Sequence, residues 1–536
     1  MKREGTPPPL PKLLLSLLLF LLSLTYLFYT LKLSIPSSQL ASSPPPSSDQ
    51  RTAIHHLVFG IAASAKLWDH RKDYIKLWFK PEESMRGVVW LDKEVPIAAG
   101  DAEGLPMIRI SGDTSHFNQK HPEERLRGRW ESAEEKTKTL SSKGSKLLVA
   151  GSLEKWTRGT VGFEGESRMF AVKLQVQTPS ASVAGKSFKL RTKNFRSLHH
   201  RSALRISRIV SETLWMGLAD VRWFVMGDDD TVFVTENLVR VLNGYDHRGY
   251  YYIGSVSESH LQNIYFSYGM AYGGGGFAIS YGLAVALEGM QDRCMGRYPG
   301  LYGSDDRIQA CMAELGVPLT RHLGFHQFDV YGNLFGLLAA HPVTPLVSLH
   351  HLDIVEPIFP NMTRLQALRR LALPMKLDSA ALMQQSICYD RSRAWMISIS
   401  WAYAVQVFRG VFSPREMETP ARTFLNWYKK ADYTGYAFNT RLVSRNQCQM
   451  PFVFYLSDAR PGKGGNSTVV SVYARHREPR PHCKWKMESP EGVEYVVVEK
   501  PRDPNLWDRG PRRNCCRVKE TTRKGRLVVD VGVCGR

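Results

Sequence analysis

An apolar run that ends in three consecutive acidic residues limits the folds open to this chain of 536 residues. The run WFVMG, residues 223–227, leads directly into Asp228, Asp229 and Asp230. A continuous apolar strand is typical of a sheet that helices cover on both faces. In open α/β sheets, ligands bind at the carboxyl ends of the strands. The sequence therefore predicts an α/β domain with an acidic site where a buried strand ends.

Segments on either side of this run support an α/β domain. An apolar run at residues 57–62 is followed by a helical stretch and by a second strand-like run at 87–91. Strands that alternate with helices are typical of a parallel sheet with crossover helices. Beyond about residue 360 the pattern changes to short strand-like runs. We therefore predict an α/β domain over residues 54–360 and a partly β, cysteine-containing domain over residues 361–536.

Residues 13–31 form an apolar run of 19 residues between Lys12 and Lys32. A helix needs about 20 such residues to cross a bilayer. The segment before the run is positively charged and the Ser/Pro-rich segment after it is almost uncharged, which favours a cytosolic N-terminus. We predict a cytoplasmic tail (1–12), a transmembrane signal anchor (13–31) and a stem (32–53). A cleaved signal peptide is the alternative, although its apolar core is usually shorter.

Cysteines and charge indicate where the rest of the chain lies and what it binds. Eight cysteines and two acceptor triplets for N-glycosylation, at Asn361 and Asn466, fit a lumenal address. The formal net charge of +21 suits nucleic acid, anionic lipid or a phosphorylated ligand equally well. The Lys and Arg residues are spread along the chain and form no basic helix with interleaved aromatics, and the chain has no zinc-finger spacing, so we expect no nucleic-acid partner.

The acidic triplet itself indicates a bound cation. Neighbouring carboxylates repel one another, and a divalent cation removes that penalty. Mg²⁺ or Mn²⁺ held by one or two carboxylates and a substrate diphosphate is a common arrangement, and the ion can stabilise a leaving diphosphate as a Lewis acid. An acidic turn that caps the following helix is the alternative. The buried strand before the triplet favours the site.

Three strings in the chain resemble a known family. WFVMGDDDTVF, AYGGGGFAIS and YGSDDRIQACMAELG are similar, in order and spacing, to the Fringe-related glycosyltransferases of family 31, and most closely to their plant branch, long described as a domain of unknown function. The resemblance covers roughly residues 54–116 and 202–360. It implies a GT-A fold, a UDP-sugar donor, Mn²⁺ and an inverting transfer.

The resemblance assigns roles to the triplet and to a glycine run. Asp228 and Asp230 take the places of the metal and donor ligands, with Asp229 between them. The run 273–276 resembles the family's stretch beside the sugar pocket, where missing side chains allow the backbone to approach substrate. A flexible turn is the alternative for such a run. The donor-binding residues expected from the resemblance are Asp228, Asp229, Asp230, Gly274, Gly275 and Gly276.

The resemblance also supplies a general base. In Fringe-like enzymes the second carboxylate of a later Asp-Asp pair is the base, and the matching residue is Asp306. An inverting transfer needs a carboxylate that removes the acceptor hydroxyl proton as the oxygen attacks. The alternative is that Asp305 and Asp306 only favour the start of the helix that they open. Cys294 and Cys311, which flank the pair, match a cysteine pair in the same relatives and imply a disulfide.

A histidine late in the domain completes the family's metal ligands, and two residues match it in part. His326 lies in Phe-His-Gln-Phe, where Fringe has Phe-His-x-His. His350 matches a histidine of core-1-type relatives, and we favour it over His326. A histidine taken alone is more often an ordinary packed or solvated one.

Residues 117–199 interrupt the pattern with a polar segment rich in Lys, Glu, Ser and Gly. In relatives, the Ser-Gly-Asp-Thr-Ser segment leads within a few residues into the Arg-Ser-Ala-Leu-Arg-Ile-Ser helix. We therefore hypothesise that this insertion is a retained intron or an error of gene prediction, or else a disordered surface loop.

Together these inferences predict a single-pass type II protein of the Golgi membrane. We expect it to transfer a hexose from a UDP-sugar to a glycan or glycoprotein hydroxyl, with inversion and in β1,3 linkage, using Mn²⁺ or Mg²⁺. The alternative is a non-catalytic lumenal glycan-binding or scaffold protein on the same fold. A phosphotransferase is disfavoured, because the chain has neither GxxxxGK[ST] nor HRD.

Overall fold

The computed structural model describes the chain from residue 51 onward with several gaps. The described residues are 51–96, 103–117, 161–165, 168–172, 199–463, 465–508 and 510–532. The predicted cytoplasmic tail and transmembrane anchor, residues 1–31, lie outside them, as do most of the predicted stem and most of the predicted insertion. Within the described residues, no helix is long and apolar enough to cross a membrane.

The elements alternate in the first half of the chain, and strands dominate the second half. The strands are β1 Leu57–Ala62, β2 Arg86–Leu91, β3 Met107–Ile110, β4 Val161–Gly165, β5 Arg168–Val172, β6 Trp223–Asp228, β7 Val232–Phe233, β8 Tyr252–Gly254, β9 Phe277–Ser280, β10 Leu319–Arg321, β11 Phe325–His326, β12 Val330–Gly332, β13 Ser348–Leu349, β14 Gln385–Asp390, β15 Trp395–Ser400, β16 Ala404–Arg409, β17 Phe424–Asn426, β18 Phe452–Gly462, β19 Gly465–Arg475, β20 Tyr495–Pro501, β21 Cys515–Lys519 and β22 Arg526–Gly532. The α-helices are α1 Trp68–Trp78, α2 His199–Leu214, α3 Thr235–Leu242, α4 His260–Tyr265, α5 Tyr281–Glu288, α6 Gln291–Arg297, α7 Ser304–Glu314, α8 Phe335–Ala339, α9 Arg364–Asp378 and α10 Pro414–Met417.

β1 lies inside a seven-stranded sheet, and all six of its residues are buried. The strand order is β10-β8-β9-β6-β1-β2-β3. β1 pairs in parallel with β2 and β6, and β2 pairs in parallel with β3. β9 runs antiparallel to both of its neighbours, β6 and β8. The predicted alternation of strands and helices is confirmed, but β9 makes the sheet mixed rather than wholly parallel.

Helices cover both faces of this sheet. Side chains of a strand point to opposite faces in turn. Phe59 of β1 shares one core cluster with Ile75 of α1, whereas Val58 shares a second cluster with Val210 of α2 and Ile308 of α7. Burial on both faces explains why β1 and β6 are apolar at nearly every position.

A three-stranded sheet with the order β11-β13-β7 lies beside the end of β6. β13 is antiparallel to β7, with Leu349 opposite Val232. On its other side β13 is parallel to β11, with His326 beside Leu349. The sheet thus ties the segment before His350 to the segment that follows the acidic triplet.

The chain after residue 385 is built on an eight-stranded sheet with the order β14-β15-β16-β18-β19-β20-β22-β21. Its neighbouring strands are antiparallel except for β20 and β22. Three disulfides join described cysteines: Cys294–Cys311, Cys388–Cys516 and Cys448–Cys483. The predicted β character and cysteine content of this region are confirmed, as is the first disulfide, which the resemblance implied.

β12 and β17 connect the two regions. They form an antiparallel pair with Val330 opposite Asn426 and Gly332 opposite Phe424. The pairing brings Trp427, the residue after β17, against the first region. Of the predicted insertion, the described residues are Phe117, the mutually paired strands β4 and β5, and His199, the first residue of α2.

Candidate functional site

The acidic triplet forms a tight turn between β6 and β7. Asp228 ends β6, with its side chain 21% exposed, while Asp229 and Asp230 are buried. The Thr231 hydroxyl accepts a hydrogen bond from the Asp228 N–H at 2.8 Å, and the Thr231 N–H donates to the Asp228 carbonyl at 3.1 Å. The turn fixes the carboxylates at the carboxyl end of a central strand, as the sequence predicts.

His350 reaches the triplet through the pairing of β13 with β7. Because Leu349 lies opposite Val232, the next residue of β13 falls beside the end of the triplet. His350 Nε2 lies 3.2 Å from Asp230 Oδ1 and 3.7 Å from Asp228 Oδ2. Its Nδ1 lies 3.1 Å from the carbonyl of Gln327, which orients the ring. We call Asp228, Asp230 and His350 the carboxylate-histidine group; its ligand atoms all lie within 4.8 Å of one another.

The carboxylate-histidine group fits a divalent cation. Asp230 is 0% exposed, and neither of its oxygens accepts a hydrogen bond of normal geometry. Burial favours a neutral Asp230, yet the charges of His350 and Arg71 hold the pKa of its carboxyl well below the usual range. Burial also disfavours a charged His350, but Asp230 raises the pKa of the imidazole overall. The ionised carboxylates of the group thus attract a positive charge to the site. One imidazole together with carboxylates is a ligand set that suits Mn²⁺ or Mg²⁺.

Arg71 is a part of the site that the sequence did not predict. Its guanidinium lies 2.9 Å from Asp229, 3.3 Å from Asp230 and 2.7 Å from Asp353. The signal was its place on α1, between the buried residues Trp68 and Tyr74. A charged residue in the buried stripe of a helix needs a partner. Arg71 thus ties the acidic turn to Asp353, and it contacts the same Asp230 oxygen as His350.

The glycine run leaves room for the side chains of Asp305 and His350. A Cβ on Gly274 would lie 2.1 Å from His350 Cε1, and one on Gly273 would lie 2.6 Å from Asp305 Oδ1. Gly276 has a φ of +80°, which side chains rarely adopt. The Gly275 N–H donates to Gln327 Oε1 at 2.6 Å. The run is therefore a fixed turn rather than a flexible one, and at Gly273 and Gly274 the free space is filled by protein.

Asp306 lies in the first turn of α7, where the helix dipole favours negative charge. Its side chain is buried and accepts a hydrogen bond from the Tyr302 N–H at 3.1 Å. Asp305 packs against Gly273. The next residue, Gly274, packs against the His350 ring. Burial raises the pKa of Asp305 to about 6, although a hydrogen bond from Gly273 opposes the shift. The structure therefore places the Asp305 carboxylate and the His350 ring against consecutive glycines, Gly273 and Gly274.

His326 lies in a different cluster, because β11 is separated from β7 by β13. Its Nδ1 lies 3.2 Å from Glu258 Oε1, and its Nε2 lies 3.0 Å from His341 Nε2. His341 Nδ1 lies 2.8 Å from the Pro342 carbonyl and must donate to it. Burial lowers the pKa of His326 to about 4, and burial followed by the charge of Asp329 raises that of Glu258 to about 8. A neutral His326 then donates to His341 and accepts from a protonated Glu258.

A stack of rings connects the carboxylate-histidine group to the second region. The His350 and His351 rings are 3.9 Å apart, His351 and Trp427 are 4.8 Å apart, and Trp427 and Tyr331 are 5.1 Å apart. Lys429 lies over the outer ring, 4.7 Å from the centre of Tyr331. The segment after β17 therefore borders the site.

Comparison with known families divides the site between two matches. Residues 177–334 match the family model described as Fringe-like, and residues 262–516 match the one described as protein of unknown function, DUF604. No curated protein matches the chain. The Fringe-like match begins inside the predicted insertion and contains the acidic triplet, the glycine run and Asp306. His350 and Trp427 lie in the DUF604 match alone, and Arg71 precedes both. The chain therefore contains a Fringe-like domain that continues into a DUF604 segment.

Proposed function

We propose that this protein is a metal-dependent glycosyltransferase that moves a hexose from a UDP-sugar to a hydroxyl of a glycan or glycoprotein. The Fringe-like match supports a glycosyltransferase-type function. The observation that carries the proposal is Asp230, a fully buried carboxylate without a normal hydrogen bond, held against His350 and beside Asp228. The resemblance to the family supports inversion and a β1,3 linkage.

Each residue of the site has a separate role in the proposed transfer. Asp228, Asp230 and His350 would hold Mn²⁺ or Mg²⁺, which supplies Lewis-acid stabilisation of the leaving UDP. Arg71 keeps Asp229 and the rest of the turn in place through its paired contacts. Asp306 accepts the proton of the attacking acceptor hydroxyl, and the Tyr302 N–H orients its carboxylate. The buried surroundings of Asp230 keep water from competing for the ligands.

The Golgi lumen is the compartment that we propose for this chemistry. The disulfides of the protein, among them Cys388–Cys516 between β14 and β21, suit an oxidising compartment. The resemblance and the apolar segment 13–31 support a single-pass type II anchor.

A donor screen on the purified full-length protein tests the proposed function. UDP release is measured with UDP-glucose, UDP-galactose and UDP-N-acetylglucosamine, with Mn²⁺ or with EDTA, and with octyl β-glycosides as acceptors. We expect release with one donor, dependent on the metal and abolished by Asp230→Ala. Mn²⁺ and UDP together should also raise the unfolding temperature, because ligands stabilise the state that binds them. A protein indifferent to every donor and to UDP with Mn²⁺ would instead be a non-catalytic scaffold.

A further inference from the structure

The rings of His350 and His351 lie side by side, although the two residues directly follow a strand, β13. Their ring centres are 3.9 Å apart, whereas the side chains of neighbouring residues in a strand point to opposite faces. The backbone of His351 leaves the extended conformation, with a φ of +54°. A residue other than glycine rarely adopts this region and keeps it only where surrounding contacts stabilise it. The contacts of His351 therefore decide how the two rings lie.

Trp427 stacks on the His351 ring. The ring centres are 4.8 Å apart and the ring planes are 15° from parallel. The indole is also stacked with the Tyr331 ring, at 5.1 Å and 18°. Offset stacking of this kind is favourable beyond the apolar area that it buries. The Nδ1 of His351 lies 3.3 Å from Asp329 Oδ1. An indole engaged in two stacks thus limits where the His351 ring can lie.

The turn after β17 fixes the indole itself. Asn426, the residue before Trp427, is 2% exposed, and its Oδ1 accepts hydrogen bonds from the N–H groups of Tyr428 at 3.0 Å and Lys430 at 2.9 Å. The Asn426 N–H donates to the Lys430 carbonyl at 2.9 Å. An asparagine that bonds to the backbone two residues on is typical of an ordered turn. β17 is also paired with β12, the strand of Tyr331. Trp427 is therefore carried on a rigid support.

We propose that Trp427 is a positioning residue of the metal site, whose stack on His351 holds the His350 ring against the carboxylates. This role rests on the proposed function. His350 Nδ1 lies 3.1 Å from the Gln327 carbonyl, but a single hydrogen bond leaves an imidazole able to tilt about it. The Gly274 backbone and the His351 ring both limit that tilt. Groups that orient a metal ligand in this way contribute strongly to metal affinity.

Trp427→Leu in the full-length protein tests this role, because leucine is apolar but cannot stack. Affinity for Mn²⁺ in the presence of UDP is measured by isothermal titration, and a thermal melt without metal checks that each variant is folded. We expect about a 10-fold loss of affinity, the scale seen when the support of a metal ligand is removed. Trp427→Phe keeps a flat ring and should restore most of the affinity. The matched control is Trp485→Leu, at another partly buried indole of the second region, which packs on Arg409 and Phe452 and should leave the affinity unchanged.

A double variant shows whether the effect passes through His350. If Trp427 acts on the metal only through that ring, Trp427→Leu should cause no further loss of Mn²⁺ affinity in a His350→Gln background. Losses that add in the double variant, unchanged affinity in Trp427→Leu, or an equal loss in Trp485→Leu would each overturn the inference. An effect confined to the KM of a sugar substrate would also overturn it, because Trp427 would then contact substrate. A wild-type protein that binds no Mn²⁺ with UDP would refute the proposed function, and this role with it.

Discussion

The imidazole of His350 lies directly on the Cα of Gly274. A Cβ at that position would fall 2.1 Å from Cε1 and 2.4 Å from Nε2 of the ring. The glycine belongs to both family matches, whereas His350 belongs to the DUF604 match alone. His350, the candidate metal ligand from the DUF604 match, can therefore reach the acidic triplet of the Fringe-like match only because residue 274 is a glycine.

Gly274→Ala should therefore displace His350 and weaken metal binding. We expect at least about a 10-fold loss in Mn²⁺ affinity, the scale seen when support of a metal ligand is removed. Gly296→Ala is the control, because a Cβ there meets nothing within 4 Å. Isothermal titration with Mn²⁺ and UDP measures both variants. Unchanged affinity in Gly274→Ala would mean that the His350 ring is not needed as placed.

The sequence predicted the elements around the triplet because they are local. The buried strand that ends at the triplet and the helix that begins one residue before Asp305 each depend on neighbouring residues, and both are confirmed. The antiparallel direction of β9 depends on pairing between distant segments, which periodicity does not report. Arg71 was missed for the same reason, since its partner Asp229 is 158 residues away.

The choice between His326 and His350 can be tested by a pair of substitutions. His350→Gln should reduce Mn²⁺ affinity by about 10-fold or more, because it removes an imidazole next to Asp230. His326→Gln should leave that affinity unchanged and lower the unfolding temperature, because it disturbs the buried contacts with Glu258 and His341. Titration with Mn²⁺ and a thermal melt distinguish the two. The reverse order would return His326 to the metal site.

The two histidines could not be separated by sequence because each lies at the end of a very short strand: His326 is the last residue of β11, and His350 directly follows β13. β11 and β13 have two residues apiece, and both belong to the same three-stranded sheet. Which of them pairs with β7 decides which histidine meets Asp230. Local residue preferences do not encode that order. The structure places His350 beside Asp230 and Asp228, and its role as a metal ligand, which the resemblance to core-1-type relatives favours, stays a prediction.

Asp306→Asn should abolish transfer without affecting donor binding. Loss of a general base costs about 10²–10⁴-fold in turnover, while the carboxylate-histidine group is untouched. Asp305→Asn is the comparison, since it changes the neighbouring carboxylate of the same helix turn. We expect full stabilisation by UDP and Mn²⁺ in both, but a much smaller kinetic loss in Asp305→Asn. If Asp305→Asn proved the more damaging change, Asp305 would take the role of base.

Arg71→Lys should weaken the site although it keeps the charge. A lysine ammonium cannot reproduce the forked contacts of the guanidinium with Asp229 and Asp353. We expect roughly a 10-fold loss of Mn²⁺ affinity together with lower thermal stability. Arg248→Lys, at an exposed ion pair with Asp246, is the control and should be nearly neutral. Identical behaviour of the two variants would show that Arg71 is not required for the site.

Glu258 should make the protein less stable as the pH rises. Its pKa is raised from 4.5 to about 8 in the folded protein, first by burial and then by the charge of Asp329. Between these values the unfolded chain loses a proton that the folded protein keeps, so the free energy of unfolding falls by up to about 1.4 kcal/mol per pH unit. Below pH 4.5 both states are protonated, and the contribution of Glu258 no longer changes.

Glu258→Gln should remove this slope and preserve the contacts. The Gln amide can donate to His326 Nδ1 as the protonated acid does, and its oxygen can accept from the Phe328 N–H. In urea unfolding at pH 6, 7 and 8, the free energy of unfolding of the variant should rise relative to that of the wild type with each increase in pH. Glu82→Gln, at an exposed position, should follow the wild type throughout. Parallel curves for Glu258→Gln and the wild type would mean that Glu258 is already ionised, with its carboxylate accepting a hydrogen bond from His326 Nδ1.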